Sequence, residues 1–220
     1  MKPLVLAVDT THEYGSLALA RGGELLHERL LHSPDGFAHV IYGELEALLR
    51  QCGVAPAEID CFASASGPGS FTGVRVGLAC IKGLAEALGK PAAAVSNLEA
   101  MARFGTTELR APVLDARRGE IYGAVYDDAG ALVSPEIVAP LPLWLETLPA
   151  DVEFISLPDW RPALETTVFA NARVTCAPRS LAPAIARIAA ARFERGEARD
   201  PAALDANYIR RSDAELFWKE

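Results

Sequence analysis

The chain has 220 residues, of which half are hydrophobic and 23% are charged, a composition typical of a soluble globular protein with one large or two small domains. Its formal net charge of −8 does not favour a surface that binds nucleic acid directly. No apolar run approaches a membrane-spanning length, and Asp9 interrupts the short apolar start. We therefore expect no anchor, no secretory signal and a cytoplasmic location.

The first half of the sequence has three strand patterns followed by alternating helices and strands. Strands are predicted over residues 4–8, 16–20, 24–31, 59–65 and 92–95, and helices over 37–52, over 72–88 and from 97 onward. Ser33-Pro34-Asp35 is expected to open the first helix, and Ser70 or Thr72 the second. Ser96 and Glu99 have the spacing of a capping box for the third.

The helix predicted over 72–88 can pack on two sides. One face is apolar and consists of Val74, Leu78, Ile81, Ala85 and Leu88. A second face has small side chains and consists of Gly73, Gly77, Cys80 and Ala87. Each glycine inside a helix costs about 1 kcal/mol relative to alanine. The two glycines therefore indicate that another element approaches this helix closely.

A change of composition at residues 104–110 separates the two halves of the chain. Beyond it, strands are predicted over 112–114, 120–126, 131–139 and 152–157, with helices over 143–148 and 182–195. Two halves of the order β-β-β-α-β-α are typical of the duplicated actin-like (ASKHA, ribonuclease-H-like) α/β fold. We predict an N-terminal half over 1–104 and a C-terminal half over 105–220, whose last helix can pack back on the first half.

Polar residues at strand ends suggest a weak nucleotide site. In the actin-like architecture, nucleotide phosphates lie between the halves, against the two hairpins that carry an aspartate. The candidate residues are Asp9, Thr10, Thr11, Gly67, Gly69, Ser70 and Asp115. Carboxylates and hydroxyls could orient hydrated magnesium there, but the same residues suit an Asx turn and a tight packing loop equally well. The loop spacing, G-x-G-x-x-x-G without a later strand-end acid, does not match a dinucleotide fingerprint.

The second hairpin has the same two interpretations. Asp115 is followed by Arg117 and Arg118, which could contact a phosphate or form a salt bridge within the hairpin. The residue types alone leave both open.

The sequence contains no recognisable catalytic centre. No two of its histidines have the H-x-x-x-H spacing that places two imidazoles on one helix face, and no G-x-S-x-G nucleophile motif occurs. Its four cysteines form no C-x-x-C pair, so we expect mostly core thiols rather than metal ligands or disulfides. These patterns predict no metal site.

Several motifs together resemble one family. They are A-V-D-T-T, S-A-S-G-P-G-S-F-T-G-V-R-V-G-L-A-C-I-K-G-L-A, V-S-N-L-E-A-M-A, L-D-A-R-R-G-E-I-Y and Y-I-R. They resemble the TsaB family, formerly called YeaZ, over most of the first half, the second hairpin and Tyr208-Ile209-Arg210. The resemblance implies a non-catalytic subunit that dimerises with the catalytic protein TsaD. With the ATPase TsaE, this complex transfers a threonylcarbamoyl group to N6 of the adenosine beside the tRNA anticodon.

The resemblance also explains the missing chemistry. TsaD-type proteins carry H-x-E-x-H after the fourth strand, whereas this chain has Asn97-Leu98-Glu99-Ala100-Met101. The resemblance therefore implies no metal site, no catalytic residues and no required cofactor, and it leaves open weak ATP or ADP binding at the complex interface. The chain departs from the family pattern at Arg118, Gly123 and Ala206, all in its second half.

The resemblance assigns the helices over 37–52 and 72–88 to an interface with TsaD, or with a second copy in a homodimer. The predicted interface residues are Phe37, Ile41, Leu45, Leu48, Gly73, Val74, Gly77, Leu78, Cys80, Ile81 and Leu84. The alternative is that both helices are buried within this chain. If the interface prediction holds, Gly77→Leu weakens TsaD binding and leaves the fold intact. The segment Leu216-Phe217-Trp218 is a further docking candidate, or packs on the chain's own core.

A function of another class remains open. The chain could be a magnesium-dependent ATPase or small-molecule kinase that uses Asp9, Asp115 and the cleft between the halves. A peptidase has less support because neither a nucleophile motif nor H-x-x-x-H is present. In either case the negative net charge predicts no direct binding of tRNA.

Overall fold

The computed structural model describes residues 1–157 and 160–210. Within them the chain divides into two units: the first comprises Met1–Ala100 and Pro178–Ala206, and the second comprises Met101–Ala177 and the chain from Asn207 onward. Each unit is built on one five-stranded mixed sheet. The candidate docking segment Leu216-Phe217-Trp218 lies outside the described residues.

The elements follow the chain in this order. The strands are β1 (Leu4–Asp9), β2 (Tyr14–Arg21), β3 (Glu24–His32), β4 (Cys61–Gly67), β5 (Ala92–Ser96), β6 (Leu109–Arg117), β7 (Glu120–Asp127), β8 (Leu132–Pro140), β9 (Glu153–Ser156) and β10 (Val174–Cys176). The helices are α1 (Ile41–Cys52), α2 (Phe71–Leu88), α3 (Asn97–Ala102), α4 (Leu141–Leu145), α5 (Arg161–Leu164) and α6 (Ala182–Glu194).

The first sheet has the order β3-β2-β1-β4-β5 and is covered on both faces. Strand β1 is buried along its whole length, as its continuous apolar pattern predicts. Alternate residues such as Leu4 and Leu6 belong to the core that also contains buried residues of α1 and α2. The opposite face presents Val5 and Ala7, and α6 packs on β1, β2 and β4. Most buried residues of α6 are alanines, which let this helix lie close to the sheet.

The second sheet has the order β10-β9-β6-β7-β8, which is equivalent to the strand order of the first sheet. Its core is aromatic: the ring centroids of Trp144 and Phe154 are 6.1 Å apart, and those of Phe154 and Phe169 are 5.3 Å apart, both edge to face. A Cβ atom added at Gly123 in β7 would come within 2.5 Å of the Trp144 ring. The tryptophan therefore fills the space beside Gly123, one of the three positions named above as departures from the family pattern.

The predicted element order is confirmed in both halves, although the bounds of several elements differ. Helix α1 begins at Ile41 rather than at residue 37, because the amides of Val40 and Ile41 both donate to the Phe37 carbonyl and close a turn before it. The Ser33 hydroxyl donates to the Gly36 carbonyl at 2.5 Å, so it stabilises a loop and does not cap the helix. The short elements α5 and β10 were not predicted, because their few residues carry no periodic pattern.

Candidate functional site

The turn after β1 is a buried polar cluster. Asp9, Thr10 and Thr11 are at most 1% exposed. Asp9 Oδ1 accepts hydrogen bonds from the Thr11 amide at 2.9 Å and from the Thr11 hydroxyl at 2.6 Å. Among the described residues, Asp9 Oδ2 has no hydrogen-bond partner. The carboxylate therefore stabilises its own turn through one oxygen only.

The glycine-rich loop between β4 and α2 packs directly against this turn. The Ser70 amide donates to the Thr11 carbonyl at 2.7 Å, and the Thr10 hydroxyl donates to the Gly73 carbonyl at 2.7 Å. A Cβ added at Gly69 would come within 2.7 Å of the Thr11 carbonyl oxygen. A Cβ added at Gly73 would overlap the Thr10 carbonyl oxygen. The space that these glycines leave is therefore filled by backbone of the same unit.

Asn97, the first residue of α3, joins the turn to the loop. Its Nδ2 donates to the Thr11 hydroxyl oxygen at 2.6 Å, and its Oδ1 accepts from the Gly67 amide at 3.0 Å. Asn97 is fully buried, and both ends of its amide are used in these contacts. A neutral amide suits this place because it can donate and accept at once.

His12 closes the other side of the cluster. Its Nδ1 lies 2.9 Å from the Thr11 hydroxyl oxygen. Burial lowers the pKa of His12, and the nearby Asp9 carboxylate opposes that shift only partly. The lowered pKa favours the neutral imidazole of His12 at neutral pH.

The structure brings together most of the residues predicted to bind nucleotide. Asp9, Thr10, Thr11, Gly67, Gly69 and Ser70 meet in the first unit, whereas Asp115 belongs to the second. Ser70 also caps α2, because its hydroxyl accepts from the Gly73 amide at 3.2 Å. The capping prediction for Ser70 is therefore confirmed.

The second hairpin is a tight turn. Asp115 Oδ1 accepts from the Arg117 amide at 2.7 Å, and Arg117, Arg118 and Gly119 have φ values of 65°, 57° and 78°. Positive φ at both central residues, Arg118 and Gly119, is the requirement of a type I′ turn. Asp115 thus has the structural role of an Asx turn.

A salt bridge from a distant residue holds this hairpin, and the sequence analysis missed it. Arg210 pairs with Glu120 of β7. The Arg210 guanidinium also donates to the Ala116 carbonyl at 2.6 Å. The Y-I-R motif therefore has a local structural role in the second unit. No pattern in the sequence links residues that lie this far apart in the chain.

The residues predicted to contact a partner mostly form the core of the first unit. All of them except Leu84, which is half-buried, are buried in this chain. They pack against β1, β2 and β4, so they are not available on the outside of α1 and α2. We call seven of the exposed residues of these helices the outer face. They are Tyr42 and Gly43 of α1 and Phe71, Arg75, Ala79, Gly83 and Glu86 of α2.

The expectation for Gly77→Leu is wrong in one respect. A Cβ added at Gly77 would lie 2.8 Å from both the Ser64 hydroxyl oxygen and the Thr10 hydroxyl oxygen. A leucine there would displace β4 and the turn after β1, so this substitution would disturb the fold itself. The small-residue face of α2 serves close packing within the unit.

The two buried cysteines, Cys61 and Cys80, are not activated. All four thiols are free, and burial raises the pKa of Cys61 to about 12 and that of Cys80 to about 11. Thiols with such pKa values are poor nucleophiles at neutral pH. Within residues 1–157 and 160–210, no cluster of His, Cys, Asp and Glu could hold a metal ion, and no helix could cross a membrane.

Comparison with known proteins shows which proteins the chain is similar to. The model of the family "TsaD: tRNA N6-adenosine threonylcarbamoyltransferase" matches residues 35–139. The tRNA threonylcarbamoyladenosine biosynthesis protein TsaB of Bacillus subtilis (strain 168) is 35% identical over 149 residues, which are 66% of this chain and 65% of that protein. TsaB of Escherichia coli (strain K12) is 35% identical over 150 residues, which are 61% of this chain and 64% of that protein. The matched part thus spans just under two thirds of each relative.

Solved structures agree with this result over nearly the whole chain. A Pseudomonas aeruginosa protein described as similar to peptidase YEAZ has a TM-score of 0.82 and 28% identity, and covers 94% of this chain and 100% of its own. The activator of 2-hydroxyisocaproyl-CoA dehydratase from Clostridium difficile, at 9% identity and a TM-score of 0.52, shares the fold alone over 90% of this chain and 97% of its own. The chain is therefore similar to the TsaB (YeaZ) proteins, and it has a duplicated, actin-like α/β fold.

Proposed function

We propose that the chain is a non-catalytic subunit that binds TsaD and supports synthesis of threonylcarbamoyladenosine in tRNA. The observation that carries this proposal is the filled glycine loop. Backbone groups of the turn after β1 occupy the space beside Gly69 and Gly73, so these glycines serve close packing and leave no cradle for a phosphate between loop and turn. A subunit with this loop contributes structure to a complex rather than chemistry.

The residues after β5 support the same proposal. The resemblance places the two imidazoles of the TsaD motif at positions 97 and 101, which here are Asn97 and Met101. Both side chains are fully buried, and the Asn97 amide is committed to Thr11 and Gly67. Neither residue can replace a metal-binding imidazole in this environment. The relatives named TsaB support a place in the same pathway.

The outer face of α1 and α2 suits a helical partner. Its centre has the small residues Ala79 and Gly83, which allow another helix to approach closely. The aromatic residues Tyr42 and Phe71 are 58% and 41% exposed, as expected for anchors that a partner would cover. The Arg75 guanidinium stacks on the Phe71 ring at 3.7 Å. We propose TsaD as the partner, and a second copy of this chain when TsaD is absent; TsaE would join the complex elsewhere.

Introducing a charged residue at the centre of the outer face tests this proposal. Ala79→Arg is expected to weaken binding to TsaD at least tenfold, because a buried unpaired arginine would separate the helices. Ala163→Arg, an exposed helical alanine of α5, is the matched control and should bind normally. Calorimetry with purified TsaD measures binding, and reconstitution of tRNA modification with TsaD and TsaE measures the consequence. Equal binding by both folded variants would contradict the proposal.

A magnesium-dependent ATPase or kinase is the alternative, and one observation favours it. The buried Asp9 Oδ2 has no partner among the described residues and could face a hydrated cation. This alternative predicts nucleotide hydrolysis by the pure chain that Asp9→Asn abolishes. Hydrolysis measured with the isolated chain and with its TsaD complex separates the two functions, since the proposed subunit has no turnover of its own.

A further inference from the structure

A polar cavity of about 470 Å³ lies at the edge of the first sheet, apart from the glycine loop and the outer face. It is contained within the first unit and opens beside β5, the last strand of the sheet. Its lining residues come from β4, β5, α6 and the segment that follows α6: Ser66, Ala92, Ala93, Ala94, Arg192, Glu197, Arg199, Ala203, Leu204 and Asp205.

The walls of this cavity are fixed by hydrogen bonds. The amide of Ala92 donates to the Arg199 carbonyl at 2.8 Å, and the Arg199 amide donates to the Ala92 carbonyl at 2.9 Å. The Arg192 guanidinium donates to the Ala94 carbonyl at 2.6 Å and pairs with Glu99 at 2.6 Å. Lys82 Nζ donates to the Leu204 carbonyl at 2.9 Å. The cavity is therefore held open by the fold and is not a gap between loose loops.

Three polar side chains of the lining have no side-chain partner among the described residues, and two of them, Arg199 and Asp205, are exposed. Ser66 is only 5% exposed, yet within the described residues its hydroxyl makes no hydrogen bond. Arg199 and Asp205 have opposite charges, and neither side chain forms an ion pair with any described residue. The other two charged residues are satisfied: Arg192 pairs with Glu99, and Glu197 pairs with Arg195 at 2.8 Å. The Ser66 hydroxyl can therefore bond to water or to a ligand in the cavity.

We propose that this cavity binds a small zwitterion, that is, a free amino acid or a similar amino carboxylate. The Arg199 guanidinium would receive the carboxylate, because arginine forms paired hydrogen bonds with planar carboxylates. The Asp205 carboxylate would receive the ammonium group, and the Ser66 hydroxyl would bond to either end. An anion alone would leave Asp205 unpaired beside it, and a cation alone would leave Arg199 unpaired. A ligand with both charges can pair with both residues at once.

Three matched probes test the proposal on the full chain. L-alanine carries both charges, propionate is the same molecule without the ammonium group, and ethylamine is the same molecule without the carboxylate. Titration followed by backbone amide NMR should show that L-alanine shifts the resonances of Ser66 and Ala92–Ala94 with millimolar affinity. We expect propionate and ethylamine to bind at least about tenfold more weakly, since each loses one charge-assisted contact. No shift with L-alanine, or equal binding of propionate, would overturn the proposal.

Two variants test which residue binds the carboxylate of the ligand and which binds its ammonium group. Arg199→Gln and Asp205→Asn should each weaken L-alanine binding at least about tenfold, and Asp205→Asn should leave propionate binding unchanged or stronger. Arg195→Gln is the control, because this exposed arginine pairs with Glu197 and does not line the cavity. Both backbone contacts of Arg199 with Ala92 persist in Arg199→Gln, so the variant should fold, and its amide spectrum checks this. Normal L-alanine binding by both folded variants would refute the site.

Discussion

Gly73 and Gly83 lie on the same helix, α2, in opposite environments. An added Cβ at Gly73 would overlap the Thr10 carbonyl oxygen, whereas one at Gly83 would meet nothing within 4 Å. Two glycines of the small-residue face predict a close approach of another element, and the structure identifies that element as the turn after β1. Gly83 is exposed and carries no such constraint.

This contrast gives a matched pair of substitutions. Gly73→Ala is expected to lower the free energy of unfolding by more than about 2 kcal/mol, because backbone must move to admit the methyl group. Gly83→Ala should raise it by about 0.5–1 kcal/mol, since alanine is the better helix former and nothing obstructs it. Urea denaturation of both variants measures the two values. A Gly73→Ala variant as stable as the wild type would show that the turn is not tightly packed.

At the scale of elements, one buried carboxylate ties a loop to a strand. Glu153 of β9 is fully buried and accepts hydrogen bonds from the Thr106 amide at 2.6 Å, the Thr107 amide at 2.8 Å and the Thr175 hydroxyl at 2.5 Å. Burial by itself would raise the pKa of Glu153, but the hydrogen bonds from Thr175, Thr106 and Thr107 outweigh it and lower the pKa. The ionised carboxylate thus joins the connection after α3 to β9 and β10.

Removing this charge should make the second unit less stable in a pH-dependent way. Because the folded pKa lies below the unfolded one, the stabilisation is present above the ordinary glutamate pKa and is lost as pH falls through the folded pKa. Glu153→Gln should therefore lower the free energy of unfolding by about 2 kcal/mol at pH 7 and by less near pH 3. Urea denaturation at both pH values measures the difference. Glu146→Gln, at an exposed position, is the control and should have little effect at either pH.

The elements themselves were largely predictable from the sequence, and the partners of their faces were not. The helical spacing of the apolar residues predicted α2, and the capping residues predicted its cap at Ser70, because both signals are local. The same periodic pattern could not distinguish an apolar face that covers the chain's own sheet from one that covers a partner. The predicted interface residues therefore turned out to be core residues, and the exposed aromatic residues Tyr42 and Phe71 were missed.

At the scale of the whole molecule, a late segment completes the first unit. Residues Pro178–Ala206 belong with Met1–Ala100, and α6 covers the face of the first sheet opposite α1 and α2. The buried residues of α6 that cover this face are alanines together with Ile185 and Ile188. All five strands of the first sheet are nevertheless complete before residue 100.

A chain that ends at Ala177 should therefore fail to form the first unit, although it contains that unit's entire sheet. One face of β1, β2 and β4 would be exposed to water, and the lost apolar burial is expected to exceed the whole stability of a typical domain, about 5–15 kcal/mol. Amide NMR of the truncated chain, alone and with a peptide of residues 178–206, measures the effect. Folding should be restored by the peptide. A dispersed native spectrum without it would disprove the requirement for α6.

The sequence by itself determined the order of strands and helices, the cap of α2 and the motifs that mark the TsaB family. These patterns involve residues that are close together in the sequence, so they can be recognised without knowledge of the folded structure. Only the tertiary structure decided that Thr10 fills the space beside Gly73, that Arg210 pairs with Glu120 and that α6 returns to the first sheet. Each of these contacts joins segments far apart in the chain. Its geometry exists only after folding, because the intervening strands position both partners.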